Sequence, residues 1–341
     1  MFSTIVLVGA LLLLLTLQIV LSAMFLRWGL RWAGYPGATL RRATIVVVVN
    51  GIINAALLPV FNRLADRPGT PLLALAIVAI VIGIAMPCVL ISRAFGTTTA
   101  RALRAFLVML IPTIGLVGFT KFVYIPYVFE AFKAEANSMA PTIIGRHVLA
   151  VCPECRAPNT ASFDDRPGKL PEPRRMICSR FHSHEIKQFD DKELPPDRFI
   201  TAKFLSPRRW DLIVFRNPDD DSQNYVKRLI GLPGETVHIA DGSVFVNGKQ
   251  LDLPEELTGL RYVTEFPDYP TPEPVWGSVE KPAVLGDGEY FVLGDNSQQS
   301  LDSRLWQHGA PGHPSYAVPK SHFIGVVTHI YWPPERMRII R

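Results

Sequence analysis

Four apolar stretches without a charged residue fill the first third of this 341-residue chain and fix what it can fold into. Residues 1 to 26, 43 to 62 and 68 to 92 carry no Asp, Glu, Lys or Arg, and each can cross a hydrocarbon core, which takes about 20 residues of helix. The fourth run, 105 to 120, is shorter, but Lys121 can snorkel to the headgroups and let a helix end near the interface. The expectation is a membrane region of about four transmembrane helices over 1–121 and a separate extracytoplasmic domain over 122–341. A cleaved leader is the other reading of residues 1 to 26. Against it, no basic segment opens the chain, and the run exceeds the usual length of about 7–15 apolar residues.

Arginine placement gives the orientation. The loop after the first run holds Arg27, Arg31, Arg41 and Arg42 and the third loop Arg93, Arg101 and Arg104, while the second holds only Arg63 and Arg67. The excess of basic residues on the cytoplasmic side then puts everything after Lys121 outside the cytoplasmic membrane. No acidic or basic residue lies inside a span to mark a transport path, which argues against a transporter. The net charge of +5 forms no basic stripe interleaved with aromatics, so no nucleic-acid partner is expected.

Beyond residue 122 the texture changes to short runs of Val, Ile, Phe and Tyr punctuated by Gly, Pro, Asn and Asp, which predicts a mainly-β domain. Residues 127–135 (YVFEAFKAE), 211–218 (DLIVFRNP) and 289–296 (EYFVLGDN) read as strands, and 241–251 (DGSVFVNGKQL) as a hairpin turning at Asn247-Gly248. The segment from about 252 to 285, with six prolines, reads as a surface excursion rather than core.

Within "NSMAPT" (137–142), Ser138 needs a proton acceptor before its hydroxyl can act as a nucleophile. The G-x-S-x-G elbow is absent, and His308, His313 and His322 fall among turn residues. A lysine serves instead when burial populates its neutral amine. In "NYVKRLIGLPGE" (224–235), Lys227 is flanked by apolar residues, and a strand would place it on one face with Leu229 while Arg228 points the other way. An exposed edge-strand lysine is the competing reading. In "GDNSQQSLDSR" (294–304), Ser300, Asp302 and Arg304 alternate, so an Asp-Arg pair can fix a loop that presents Ser300 to a buried amine. An Asx-rich turn is the plainer alternative.

Taken in order, "NSMAPT", "RRWDLIVFRNP", "YVKRLIGLPGE" and "GDNSQQSLDSR" resemble the signature boxes of bacterial type I signal peptidases (leader peptidases), over about 122–238 and 287–333. The resemblance implies a membrane-anchored serine endopeptidase with a mainly-β catalytic domain. It removes signal peptides from exported preproteins with small residues before the cleavage site, and requires no cofactor for catalysis. Carried over by position, Ser138 matches the nucleophile, Lys227 the general base and Ser300 the serine that orients the lysine, with Asp302 and Arg304 as the supporting ion pair. Three positions depart from the pattern. Ala136 replaces a hydroxyl residue that donates to the oxyanion in some members, Trp210 stands where glycine is usual, and Ser297 where arginine is common. A catalytically weak membrane scaffold that binds a partner through its insert is the rival reading.

That insert, at about 150–190, carries Cys152 and Cys155 as C-x2-C, then Cys178 and His182. Three cysteines cannot all pair, and the set fits a tetrahedral Cys3His structural zinc site, with His184 as a competing ligand. A Cys152–Cys155 disulfide or the relic of a lost site are the alternatives. Cys88, inside the third span, reads as packing.

Overall fold

The computed structural model describes residues 2–67, 69, 71–162, 174–186, 190, 192–266 and 274–340, with side chains from Leu12 onward except Ser162, Arg174 and Ile186. The chain divides into two units, Met1–Val123 and Tyr124–Arg341.

The first unit contains helices α1 (Phe2–Trp32), α2 (Leu40–Ala65), α3 (Leu72–Phe95) and α4 (Thr99–Phe119). Thr39 and Thr98 cap α2 and α4, each hydroxyl accepting from the N–H three residues on, and Gly96 ends α3 in the left-handed region. Four helical stretches, Leu12–Trp32, Leu40–Ala65, Leu72–Phe95 and Thr99–Tyr127, are long and apolar enough to cross a membrane. Their inner faces meet through small and apolar side chains, among them Ala23, Leu26, Ala43, Ile91, Ala102 and Phe106. Their outer faces are apolar too, with Leu13, Leu73 and Ile80 exposed, a pattern suited to lipid rather than water. Cys88 is buried in this packing.

The second unit is mainly β. Its largest sheet has eight strands. Seven run in the order Phe129–Lys133, Arg198–Ala202, Phe323–Trp332, Leu212–Asn217, Asp220–Gly231, Glu289–Leu293 and Val318–Pro319, and Arg338–Ile339 pairs separately with Phe323–Trp332. The strand Phe129–Lys133 is an edge. A four-stranded sheet contains the expected hairpin, Ser243–Val246 with Lys249–Gln250, and both turn residues, Asn247 and Gly248, have the positive φ a tight two-residue turn requires. The insert forms its own sheet from His147–Val151, Pro158–Ser162, Arg174–Cys178 and Ser183–Ile186.

One expectation needs correction. Apart from a short 3-10 turn at Glu255–Leu257 and the two-residue strand Ala283–Val284, the described residues of 252–285 form no regular element, yet Leu257, Leu260, Tyr262, Phe266 and Val275 are buried, and Leu257, Leu260 and Tyr262 pack with Val237, Ile239 and Phe291. A proline-rich composition reports on backbone hydrogen bonding and leaves apolar side chains free to pack inward. Residues 267–273 lie outside the described set.

Candidate active site

Ser138 sits in the turn that follows the edge strand Phe129–Lys133, and its neighbours pin it there. The buried Asn137 accepts the Gly145 N–H at 2.8 Å and donates to Arg146 O at 2.9 Å, closing the turn on itself. From the other side, the Asn296 N–H donates to Ser138 O at 3.1 Å and its side chain to Asn137 O at 3.2 Å. Met139 and Ile143, both buried, anchor the segment in the core.

Lys227 comes from the strand Asp220–Gly231, opposite Ile213 on one neighbour, while the next residues pair with Glu289–Leu293 on the other. It is 3% exposed, which removes the edge-lysine alternative. Its Nζ donates to Ser138 Oγ at 2.6 Å and lies 5.3 Å from the centre of the Tyr225 ring. Burial drives its pKa down to about 8; the charges of Asp302 and Asp295 pull it up and that of Arg304 pushes it further down. Among the described residues no histidine hydrogen-bonds Ser138. His313 pairs instead with Glu289 at 2.8 Å, and His322 meets Arg216 O.

Asp302 and Arg304 are fully buried, their side chains bonded twice, at 2.8 and 2.7 Å, and the Arg304 backbone N–H donates to the same carboxylate at 3.2 Å. The second Asp302 oxygen also accepts the Gly294 N–H at 2.9 Å, fixing the backbone between Leu293 and Asp295. Arg304 further donates to Val263 O and to both the hydroxyl and carbonyl of Ser297. Ser300 is buried against Gly294, but its hydroxyl has no hydrogen-bond partner, so the expected bond to Lys227 is not formed in this arrangement.

Sequence reasoning missed the partner of Arg228. Arg228 does point away from Lys227, but into the protein, where it grips Asp295 at 2.7 and 2.5 Å, and Thr142 donates to the same carboxylate. Asp295 lies in the Gly-Asp-Asn of the last box, which an Asx turn also explains, and only the strand register brings it to Arg228. The departures from the family pattern also find local reasons. Trp210 has φ 72°, the left-handed region where glycine is at ease, and its carbonyl accepts from Arg228 at 2.6 Å. Ser297 serves as a hydrogen-bond hub for Arg304 and the Val263 N–H. Ala136 has no hydroxyl to offer an oxyanion, while the Ser138 N–H makes no hydrogen bond to another described residue and is available as a donor.

A cleft of about 530 Å³ opens onto the Ser138–Lys227 pair, with Phe132, Ala134, Phe199 and Val214 on its walls. Elsewhere, Cys152, Cys155, Cys178 and His182 bring their ligand atoms within 4.8 Å of one another.

The family model for signal peptidase, peptidase S26, matches residues 103–332. The chain belongs to this family. It is 36% identical over 152 residues to a signal peptidase I from Leptolyngbya laminosa, covering 41% of this chain and 63% of that protein. A signal peptidase I from Rickettsia conorii is 33% identical over 172 residues, 45% of this chain and 63% of the relative. Each match thus spans under two thirds of the relative's length. A crystal structure of a signal peptidase I from Enterococcus faecalis aligns over 36% of this chain and 98% of that one at 34% identity, with a TM-score of 0.27. The mainly-β unit after the four apolar helices is the signal peptidase fold of the S26 family. The family model begins within α4 and runs through the insert and both loops that meet at Ser138.

Proposed function

We propose that this S26-family chain is a membrane-bound serine endopeptidase that removes signal peptides from exported preproteins through a Ser138–Lys227 dyad. The observation that carries this reading is the 2.6 Å contact between Lys227 Nζ and Ser138 Oγ in the lining of a cleft. With a pKa of about 8, roughly a tenth of the lysine is neutral at pH 7, enough to act as a base.

Lys227 takes the Ser138 proton as Oγ attacks the carbonyl carbon of the scissile peptide. The oxyanion accepts the Ser138 N–H. Collapse of the tetrahedral intermediate breaks the C–N bond, and Lys227 returns the proton to the departing amine of the mature protein. Water then gives its proton to Lys227 and attacks the acyl ester, releasing the signal peptide as a carboxylate and restoring the serine hydroxyl. Asp302, Arg304 and Asp295 hold the Gly294–Asn296 backbone that fixes Ser138 O.

An extended substrate fits the open side of the edge strand Phe129–Lys133, with alternate side chains entering the cleft. Walls built from Phe132, Ala134, Phe199 and Val214 favour small residues just before the cut. The distribution of arginines among the loops supports a location of this domain on the extracytoplasmic side of the cytoplasmic membrane. A catalytically weak scaffold is disfavoured, because it has no use for a lysine buried at the cost of its charge.

The test is incubation of the detergent-solubilised protein with a preprotein, followed by sequencing of the new N-terminus. Cleavage after a small-x-small sequence is expected, lost when the residue before the cut is made bulky. Indifference to that replacement would contradict the specificity, and no cleavage of any preprotein would contradict the function.

A further inference from the structure

The insert between the first two boxes contains two tight turns that face each other. In the first, Cys152 N donates to Ala157 O at 2.9 Å and Arg156 N to Cys152 O at 3.0 Å, with Arg156 at φ 60°. In the second, Cys178 N donates to His182 O at 3.1 Å, Phe181 N to Cys178 O at 2.9 Å, and Phe181 lies at φ 64°. Each turn joins a pair of adjacent strands, and each offers two soft or borderline ligands to the space between.

We propose that Cys152, Cys155, Cys178 and His182 hold one zinc ion, and that this ion braces the insert against both loops of the Ser138–Lys227 site. Tetrahedral zinc, with Zn–S near 2.3 Å and Zn–N near 2.0 Å, sets neighbouring ligand atoms roughly 3.5–3.8 Å apart. Cys155 and Cys178 sulfurs lie 3.6 Å apart, and Cys152 Sγ lies 3.7 Å from His182 Nδ1. A disulfide would need about 2.0 Å between sulfurs, and all four cysteines of the chain are free. Three thiolates and an imidazole in a tetrahedral set select zinc among hard and borderline divalent ions. The Arg180 N–H points at Cys178 Sγ from 3.4 Å, the kind of outer hydrogen bond that steadies a thiolate ligand. His184 stands outside the set, its Nε2 3.0 Å from Glu154, which also lies 3.5 Å from His182 Nδ1.

The brace has two arms. Ile177, beside the ligand Cys178, packs with Ala140 and Ile144 in the segment that carries Ser138. Arg175 Nη1 and Ser183 Oγ both donate to Gln298 Oε1, at 2.7 and 3.0 Å. Gln298 lies between Asn296, whose N–H holds Ser138 O, and Ser300. Strands on either side of the second turn therefore touch both loops, and the ion ties that turn to the first.

The activity arm of this inference rests on the peptidase reading, whereas metal content does not. Full-length protein purified in detergent without chelator is expected to carry about one zinc per chain, and Cys155→Ser to lose it. Zinc-free wild type after growth in zinc-replete medium would overturn the site. Stripping the zinc is expected to lower kcat for preprotein cleavage severalfold with KM little changed, and zinc but not magnesium should restore it. Gln298→Ala, which leaves every ligand in place, should keep the zinc and show a similar loss of kcat. Full activity in both the stripped protein and Gln298→Ala would overturn the brace. Failure to cleave any preprotein even with zinc bound would instead count against the peptidase reading.

Discussion

Lys227 Nζ approaches Ser138 Oγ to 2.6 Å from a strand that buries the rest of its side chain. In the proposed mechanism the hydroxyl and the amine act as one unit. Ser138→Ala and Lys227→Ala should each reduce preprotein cleavage to background, and the double variant should be no worse. Lys227→Arg should fail equally, because a guanidinium does not give up its proton. Substitutions at His308, His313 or His322 should leave the chemical step intact. Single-turnover cleavage rates check all of these, and near-normal turnover by Lys227→Arg would remove the lysine from its role.

Gly294 is fixed by close approach. A Cβ there would lie 2.6 Å from Ser138 O and overlap the Ser300 side chain, so the loop carrying Asp295 and Asn296 would have to retreat from Ser138. Gly294→Ala is expected to lower kcat/KM by about 10- to 100-fold, the scale of a small misplacement at a reacting centre. The chain should still fold, judged by an unchanged far-ultraviolet circular dichroism spectrum. Wild-type kcat/KM would show that the loop has slack.

Much of this candidate site was legible because each residue proposed to react sits in a short stretch with its own local logic. Ser138 follows a stretch that reads as a strand, Lys227 is framed by apolar neighbours, and Asp302 and Arg304 lie two apart. The four apolar helices were legible for a stronger reason, since about 20 uncharged residues have few other folds available. What stayed hidden depends on register. The sequence turned Arg228 to the face opposite Lys227 without naming a partner, and only the pairing of Asp220–Gly231 with Glu289–Leu293 shows that Asp295 waits on that side. The buried apolar residues of 252–266 were hidden by the proline count of the longer 252–285 segment, and prolines report on backbone hydrogen bonding and not on burial. Gln298 carried no signal at all, because its partners, Arg175 and Ser183, are more than a hundred residues away.

Burying Lys227 has a thermodynamic signature. Its pKa is about 8 in the folded chain and about 10.4 when unfolded, so the unfolded chain holds the proton more tightly. Stability therefore rises with pH between these values, and the full penalty, on the order of 3 kcal/mol, applies below about pH 8. Lys227→Met keeps the side chain's length without its charge. It should unfold at a higher temperature than the wild type at pH 7, with the gap shrinking toward pH 10. A gap independent of pH would mean that packing, not the charge, sets the difference.

The pH dependence of kcat/KM for preprotein cleavage tests the central claim most directly, because it reads the base in the free enzyme. With Lys227 as that base, activity rises about tenfold per pH unit on the acid side and levels off above an apparent pKa of about 8. A limb centred near 6.5, the value of an ordinary histidine, or a profile flat from about pH 6 to 9, would contradict the Ser138–Lys227 mechanism.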